Sequence, residues 1–290
     1  MRDTKHLMSI SQTPAIVIAG IGIQICLPSQ QAADYRRLLA PYAAYLPADA
    51  SCDLCVEVDI QPGAPFIPLE NHQGSQVRVT RVGERLWYES FSEQGWIDFE
   101  QGKAALVARP NASLEFFLRL VIAWQCLQRG WLLVHASAVC RVGVGFVFIG
   151  PSGAGKSTTA QLSHDATIDT TILGDDVVVV GEAGDGWRVY GVPFSGSKFD
   201  AAAANTSAPL RGVYSLVQAH SHQLRPLPGP LGAAKLVSCL PFVMTTPTGA
   251  TKALDTCNRL TAAIPVYELS FRKDPGFWAL LLDSPALVAK

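Results

Sequence analysis

The chain has 290 residues, of which 49% are apolar and 16% are charged, and this length suits one large domain or two modest ones. Its formal net charge of -1 at pH 7, without a Lys/Arg cluster, excludes the basic surface of nucleic-acid-binding and membrane-surface proteins. Because no stretch approaches the roughly 20 apolar residues of a membrane span, we expect a cytoplasmic protein that binds neither nucleic acid nor membrane.

The first hundred residues predict a β-rich region. The apolar segment AIVIAGIGIQICLP is short and rich in β-branched residues, which favours a buried strand at Ala15–Cys26 over a targeting signal. Gln31–Tyr45 predicts a helix. Further strands are predicted at Cys55–Ile60, Val77–Val82, Arg85–Ser90 and Gln94–Asp98. Because no catalytic constellation stands out here, we predict that residues 1–108 form an accessory or docking domain.

Seven cysteines at irregular spacings include a single CxxC motif, Cys52 and Cys55. Without a second CxxC or a His pair at ligand spacing, a zinc or redox site is the weaker interpretation, and reduced thiols are the stronger one.

The second half of the chain predicts an α/β domain at residues 109–290. Apolar residues recur at three- and four-residue spacing after Asn111 and predict a helix that stops near Gly130. The predicted strands are Trp131–Val139, Gly145–Ile149, Asp175–Val180, Trp187–Val192, Arg211–Gln218 and Pro265–Phe271. Further helices are predicted to start at Ser157–Ser163 and to lie near Gly232–Leu240 and Pro275–Leu282.

The sequence GPSGAGKST at residues 150–158 matches the pattern G-x4-G-K-[ST] between a predicted strand and a predicted helix. Glycines let backbone N–H groups converge on phosphate oxygens, the lysine neutralises phosphate charge, and the serine hydroxyl can bind Mg²⁺. The candidate phosphate-binding residues are Gly150, Ser152, Gly153, Ala154, Gly155, Lys156, Ser157 and Thr158. The motif predicts nucleotide or polyphosphate binding.

Two adjacent carboxylates, Asp175 and Asp176, begin the predicted strand DDVVVV. In a turn such a pair can simply accept backbone hydrogen bonds. Downstream of a phosphate-binding loop, however, one carboxylate can hold Mg²⁺ while the other takes a hydroxyl proton.

His135 lies in LLVHASAV, fifteen residues before Gly150. With the His135–Ala136 pair, the GPSGAGKS loop and the aspartate pair, residues 111–282 resemble the catalytic domain of the HPr kinase/phosphorylase family. The resemblance implies an HPr-kinase-like P-loop domain with a mixed sheet that transfers phosphate from ATP to a serine hydroxyl. Such relatives often form homo-oligomers.

The resemblance also implies a role for each candidate residue. Lys156 and Ser157 would bind phosphates and Mg²⁺, and Asp175 would take the hydroxyl proton. Asp176 would lie on the metal side, and His135 would lie near the base and position the acceptor. Arg225, in LRPLPG, is a candidate for stabilising charge in the transition state.

One family signature is missing. Family members that act on HPr carry E-I-R-G after the aspartate pair, whereas this chain has VYGVPFSGSK at residues 189–198. The chain therefore resembles divergent relatives that modify ribosomal peptides, including kinases that phosphorylate the C-terminal serine of lasso-peptide precursors. We expect a peptide or small-protein substrate.

Two other functions are compatible with the same motifs. One is a small-molecule hydroxyl kinase or a carboxykinase-like enzyme on the same fold. The other is a nucleotide-binding regulator without transfer activity. The sequence also leaves open whether the donor is ATP, GTP or pyrophosphate.

Overall fold

The computed structural model describes residues 14–28, 31–47, 50–63, 66–67, 77–166, 169–194 and 205–283. It is an α/β protein with two mixed β-sheets. The chain divides into two compact units, Met1–Gln125 (unit 1) and Cys126–Lys290 (unit 2). No helix within the described ranges combines the length and the apolar character needed to cross a membrane.

Unit 1 contains one seven-stranded sheet in the part of the chain that the structure describes. Its strands are β1 (Ala15–Ile18), β2 (Ile21–Cys26), β3 (Leu54–Ile60), β4 (Arg78–Val82), β5 (Arg85–Glu89), β6 (Glu93–Asp98) and β7 (Lys103–Ala108). They are arranged in the order β1-β2-β3-β7-β6-β5-β4. Strands β2, β3 and β7 run parallel, and the other neighbours are antiparallel.

The unit 1 sheet has one buried face and one accessible face. Successive side chains of a strand point to opposite faces, and β3, β5, β6 and β7 alternate between buried and accessible positions. Helix α2 (Glu115–Gln128) buries Phe117, Leu118 and Val121. The Phe117 ring meets the Tyr88 ring of β5 edge-on, with centroids 5.6 Å apart. The apolar stripe that predicted this helix therefore faces the core.

Two predictions in unit 1 had the wrong extent. The segment Ala15–Cys26 is a hairpin of β1 and β2, because the chain turns at Ala19 and Gly20 with φ of 51° and 73°. The predicted helix Gln31–Tyr45 contains α1 (Ala32–Leu39), which gives way to a 3₁₀ helix at Ala40–Tyr45. Pro41 lacks the N–H that an α-helix would use there. Strand β7 was not predicted.

A carboxyl group lies inside unit 1. Glu93 is buried, and its Oε2 accepts a 2.9 Å hydrogen bond from the Tyr88 hydroxyl. Its Oε1 is buried without a hydrogen-bond partner among the described residues. Burial raises the pKa of Glu93 from 4.5 to about 8, and the Tyr88 hydrogen bond only partly offsets this. Glu93 is therefore protonated in the folded protein at neutral pH.

Unit 2 contains a nine-stranded sheet within its described residues. Its strands are β8 (Leu132–Val134), β9 (Ala136–Arg141), β10 (Val144–Ile149), β11 (Thr170–Gly174), β12 (Val178–Ala183), β13 (Gly186–Tyr190), β14 (Ser207–Gln218), β15 (Gln223–Pro226) and β16 (Val266–Phe271). Strand β14 is parallel to β10 and β16, and β9 is antiparallel to both β10 and β11. Strands β10, β11, β14 and β16 therefore all run in one direction.

An aromatic cluster joins this sheet to the last helix. Within the described residues, the α-helices that lie wholly in unit 2 are α3 (Lys156–Ala166), α4 (Gly229–Val237), α5 (Pro247–Ala263) and α6 (Phe277–Asp283). The ring of Phe146 on β10 meets the ring of Trp278 on α6 edge-on at 4.9 Å, and Phe148 and Tyr214 pack around them. These buried rings anchor α6 against the strands that lead to the candidate site.

Helix α5 was not predicted. Its buried positions, among them Ala253, Cys257 and Leu260, form only a narrow stripe on a helix that is otherwise polar. Its start is marked by Thr246, whose hydroxyl accepts a hydrogen bond from the Gly249 N–H at 3.1 Å.

Several predicted strands of unit 2 have different bounds: Arg211–Gln218 lies within the longer β14, Trp187–Val192 corresponds to β13, and two further strands differ more strongly. Trp131–Val139 is interrupted at His135, because β8 pairs with β12 whereas β9 pairs with β10 and β11. Asp175 and Asp176 do not open a strand. They lie in the bend between β11, which was not predicted, and β12. The bend is tight, since a Cβ on Gly174 would lie 2.6 Å from the Val177 carbonyl oxygen.

We predict that Glu93 makes the stability of unit 1 pH-dependent. The folded state holds a proton on Glu93 up to about pH 8, whereas the unfolded chain loses it near its ordinary pKa of 4.5. The folded state therefore binds more protons in this window, and the free energy of unfolding falls as pH rises, by at most about 1.4 kcal/mol per pH unit. Urea unfolding of Glu93→Gln between pH 5 and 8 should show a flatter dependence than wild type.

The matched control is Glu100→Gln, which alters an exposed glutamate of the same unit. It should keep the wild-type pH dependence. If Glu93→Gln and wild type lose stability in parallel as pH rises, Glu93 is ionised in the folded protein.

Candidate functional site

Strand register brings four separate segments of unit 2 to one end of its sheet. Ala136, the first residue of β9, lies opposite Ile149, the last residue of β10, and Ile149 is also opposite Ser215 of β14. Gly174, at the end of β11, pairs with Ala138 of β9. The residues just beyond these strand ends therefore meet, although they are far apart in sequence.

The segment between β10 and α3 is a glycine-dependent loop. Gly150, Gly153 and Gly155 have φ of 154°, 80° and 106°, in the region that side chains other than glycine rarely adopt. At Gly155 a Cβ would also lie 2.6 Å from Cζ of the buried Phe271 ring. The loop conformation thus depends on the glycines of the motif.

Lys156, the first residue of α3, is buried and tethers this loop. Its ammonium group donates hydrogen bonds to the carbonyls of Gly150 at 2.8 Å and Pro151 at 3.1 Å, and its own carbonyl accepts one from the Ser137 hydroxyl at 2.8 Å. Burial lowers the pKa of Lys156, and Cys239 and Asp176 act in the opposite direction. The Lys156 ammonium group and the backbone N–H groups of the helix N-terminus therefore lie close together, and both attract an anionic ligand.

His135 and Asp176 are in direct contact. The His135 Nδ1 lies 3.2 Å from the Asp176 Oδ1. Backbone hydrogen bonds fix both residues, since the His135 N–H donates to the Cys239 carbonyl at 2.7 Å and the Ala136 N–H donates to the Asp176 carbonyl at 3.0 Å. The interruption of the strand at His135 is what allows these bonds to replace regular pairing.

These segments enclose a cleft of about 340 Å³, which we call the unit 2 cleft. Its lining residues are His135, Ser152, Gly153, Gly155, Lys156, Ser157, Thr158, Asp175, Asp176 and Gln218. Of the candidates from the sequence, Gly150 and Ala154 belong to the loop without lining the cleft.

Arg225 lies on β15 and is not among the residues that line the unit 2 cleft. Its guanidinium group is largely exposed and donates to the Glu268 carboxylate on β16 at 3.0 Å.

Gln218 belongs to the cleft but was missed in the sequence. It ends β14, and its side-chain amide donates to the Gly153 carbonyl at 2.7 Å. The available signal was a polar residue directly after the predominantly apolar segment VYSLV at residues 213–217. An adjoining hollow of about 370 Å³ shares Gly155, Thr158 and Gln218 with the cleft and adds Ala219, Phe271 and Lys273.

The oxygen ligands that line the cleft are few, but they are enough to bind Mg²⁺ together with a phosphate group. Within the described ranges, no three His, Cys, Asp or Glu side chains are placed to hold a metal ion together. Mg²⁺ in phosphate-binding sites takes only one or two protein ligands and completes its shell with phosphate oxygens and waters. Ser157 and Asp176, which line one cleft beside Lys156, fit that requirement.

The two cysteines of the CxxC motif lie in unit 1, and the thiol of Cys55 lies beside that of Cys26. The Sγ of Cys55 lies 3.3 Å from the Sγ of Cys26 on the neighbouring strand, whereas Cys52 is exposed. Burial raises the pKa of Cys26 to about 12, which keeps it a thiol at neutral pH.

We predict that Gly155→Ala destabilises unit 2 by about 1–3 kcal/mol, because it combines a strained backbone with overlap against a buried ring. Gly184→Ala is the matched control, since no atom lies within 4 Å of its added Cβ and its φ is not strained. Urea unfolding of both variants measures the difference. Equal stabilities would show that the loop does not hold Gly155 against Phe271.

No family model matches the chain, and no curated protein matches it. Among solved structures, the chain is similar to the HPr(Ser) kinase/phosphatase from Coxiella burnetii, with 11% sequence identity and a TM-score of 0.30. The similarity covers 52% of this chain and 91% of that chain. A likeness at this level establishes neither a shared fold nor a shared activity.

Proposed function

We propose that unit 2 is an HPr-kinase-like P-loop kinase that transfers the γ-phosphoryl group of ATP to a hydroxyl group in a Mg²⁺-dependent reaction. One observation carries this proposal. A single cleft contains the glycine-rich loop with Lys156 and Ser157, the two carboxylates Asp175 and Asp176, and His135. These are the groups that binding phosphate, holding Mg²⁺ and accepting a hydroxyl proton require.

Loop and helix residues would bind the phosphates. The N-terminus of α3, eleven residues long, supplies N–H groups, and Lys156 supplies a full positive charge beside them. The adjoining hollow with Phe271 and Lys273 would accept the rest of the nucleotide, because it shares Gly155 and Thr158 with the cleft.

Asp176 and Ser157 would bind the Mg²⁺ ion. This assignment is supported by the position of Asp176, which lines the cleft together with Ser157 and Lys156. Bound Mg²⁺ would neutralise charge on the phosphate oxygens. His135, in contact with Asp176 Oδ1, would orient that carboxylate.

Asp175 would then take the proton from the acceptor hydroxyl. It lines the same cleft and is buried, which limits the water available to solvate its charge. A carboxylate that lines the cleft beside the phosphate-binding loop is placed to accept a proton from a hydroxyl group bound there. Arg225 stays a proposed contributor to charge stabilisation on the basis of the resemblance alone.

We further propose that the acceptor is a serine of a peptide or small protein, with the C-terminal serine of a lasso-peptide precursor as the first substrate to test. This choice rests on the family resemblance and not on a contact in the cleft.

Lys156→Ala should weaken binding of Mg²⁺–ATP by at least about tenfold, because the buried cation at the loop is removed. Isothermal titration calorimetry measures this. The control is Lys252→Ala, which removes an exposed lysine of α5 that donates to the Gln128 side chain. Unchanged affinity in Lys156→Ala would mean that the loop is not the phosphate site.

Asp175→Asn should reduce phosphate transfer by about 10²–10⁴-fold while Mg²⁺–ATP affinity changes little, because loss of a base affects the transition state more than the ground state. Asp176→Asn should instead weaken Mg²⁺-dependent nucleotide binding. Mass spectrometry of serine-containing peptides incubated with ATP measures transfer. Wild-type activity in Asp175→Asn would refute its role as the base.

If wild-type protein binds ATP tightly but phosphorylates no peptide or small-molecule hydroxyl, the chain is a nucleotide-binding regulator and not a kinase.

A further inference from the structure

The accessible face of the unit 1 sheet contains a hollow of about 470 Å³, which we call the unit 1 hollow. Its wall is formed by alternate residues of four neighbouring strands, chiefly Glu57, Asp59, Trp87, Trp96, Ala105 and Val107. None of these residues belongs to the unit 2 cleft.

Strand register explains both the shape and the composition of the hollow. Glu57 of β3 lies opposite Ala105 of β7, Ala105 opposite Trp96 of β6, and Trp96 opposite Trp87 of β5. The four side chains form one row across the same face. Because the Ala105 side chain is small, it leaves a depression in the surface. The Glu57 carboxylate lies on one side of this depression, and the two indole rings lie on the other.

The hollow is acidic as well as aromatic. Its lining contains the carboxylates of Glu57 and Asp59 and, among the described residues, no Lys or Arg. Glu57 is exposed, and Asp59 accepts a hydrogen bond from the Gln61 side chain at 2.6 Å. At the end of the hollow formed by Glu57 and Asp59, a positively charged group would therefore be matched electrostatically.

The same face already holds a guanidinium group on an indole. The Arg85 guanidinium carbon lies 3.9 Å from the centroid of a Trp96 ring, and its Nε lies 3.8 Å from the Asp98 carboxylate. Trp87, the neighbour of Trp96, is 40% exposed, which is unusual for so large an apolar side chain. Trp87 and the carboxylates of Glu57 and Asp59 are the same kinds of group that hold Arg85. They lie at opposite ends of the row, about 14 Å apart between the backbones of β5 and β3, so one polypeptide would contact them through neighbouring side chains.

We propose that the unit 1 hollow binds an arginine side chain of a polypeptide partner. The planar guanidinium group stacks on aromatic rings and pairs with carboxylates through two parallel N–H bonds, which an ammonium group cannot do. A volume of about 470 Å³ lies within the roughly 300–1,000 Å³ of ligand pockets and exceeds one guanidinium group, so residues next to the arginine are accommodated too. This binding site goes beyond the proposed kinase function and depends only on unit 1.

The probe for the test is a fluorescein-labelled hexapeptide with two arginines separated by glycine and serine, and binding to the full chain is followed by fluorescence anisotropy. The matched peptide carries citrulline, which has the same shape without the charge, at both arginine positions. We expect the arginine peptide to bind at least about tenfold more tightly than the citrulline peptide.

Three changes should each weaken binding of the arginine peptide by about tenfold: Trp87→Ala, the double change Glu57→Gln with Asp59→Asn, and Ala105→Leu, which fills the floor. Glu100→Gln removes one exposed charge of unit 1 outside the hollow and should bind like wild type. Lys156→Ala should also bind the peptide like wild type, which separates this site from the proposed kinase function.

Equal binding of the two peptides, or binding that survives all three changes, would overturn the proposal. So would competition by N-acetyl-arginine amide at the same concentration as the peptide, because the hollow would then recognise a small cation and not a polypeptide. Circular dichroism of each variant excludes loss of folding as the cause of weaker binding.

Discussion

The parallel pairing of β10 with β14 is the constraint on which the candidate site depends. Parallel strands end at the same side of a sheet, so the loop after β10 and Gln218 at the end of β14 must meet there. Strand β9, antiparallel to both β10 and β11, adds His135 and the aspartate bend to the same side. Buried aromatic residues on these strands and on α6 pack together and stabilise this arrangement.

One buried cation, Lys156, lies at this end of the sheet and is stabilised by nearby anionic and dipolar groups. Lys156 lies at a helix N-terminus, which is unfavourable for a positive charge, and burial adds a desolvation cost. Two loop carbonyls and the nearby Asp176 compensate. A site built in this way favours a strongly negative ligand, because phosphate oxygens would satisfy the lysine and the helix N–H groups together.

Much of unit 2 was predictable where the signal is contiguous in sequence. The loop motif, the strand before it and the helix after it lie in one segment, and the structure confirms their order. The aspartate pair was placed wrongly, at the start of a strand, because the four valines after it are strongly apolar whereas TTILG before it has only two apolar side chains, Ile172 and Leu173. Pairing with β9, which no local pattern reveals, makes TTILG a strand. The interruption at His135 was invisible for the same reason, since β8 and β9 differ only in their partners.

From the linear chain came the α/β class, the glycine-rich loop and the identity of the acidic and basic candidates, because residue type and short spacing carry that chemistry. Only the folded arrangement placed His135 in contact with Asp176 and added Gln218 to the cleft. It also paired Arg225 with Glu268. In unit 1 it aligned four side chains in one row, namely Glu57, Ala105, Trp96 and Trp87. The reason is strand register. It is decided by pairing between distant segments, and a shift of one residue would send every side chain of a strand to the opposite face.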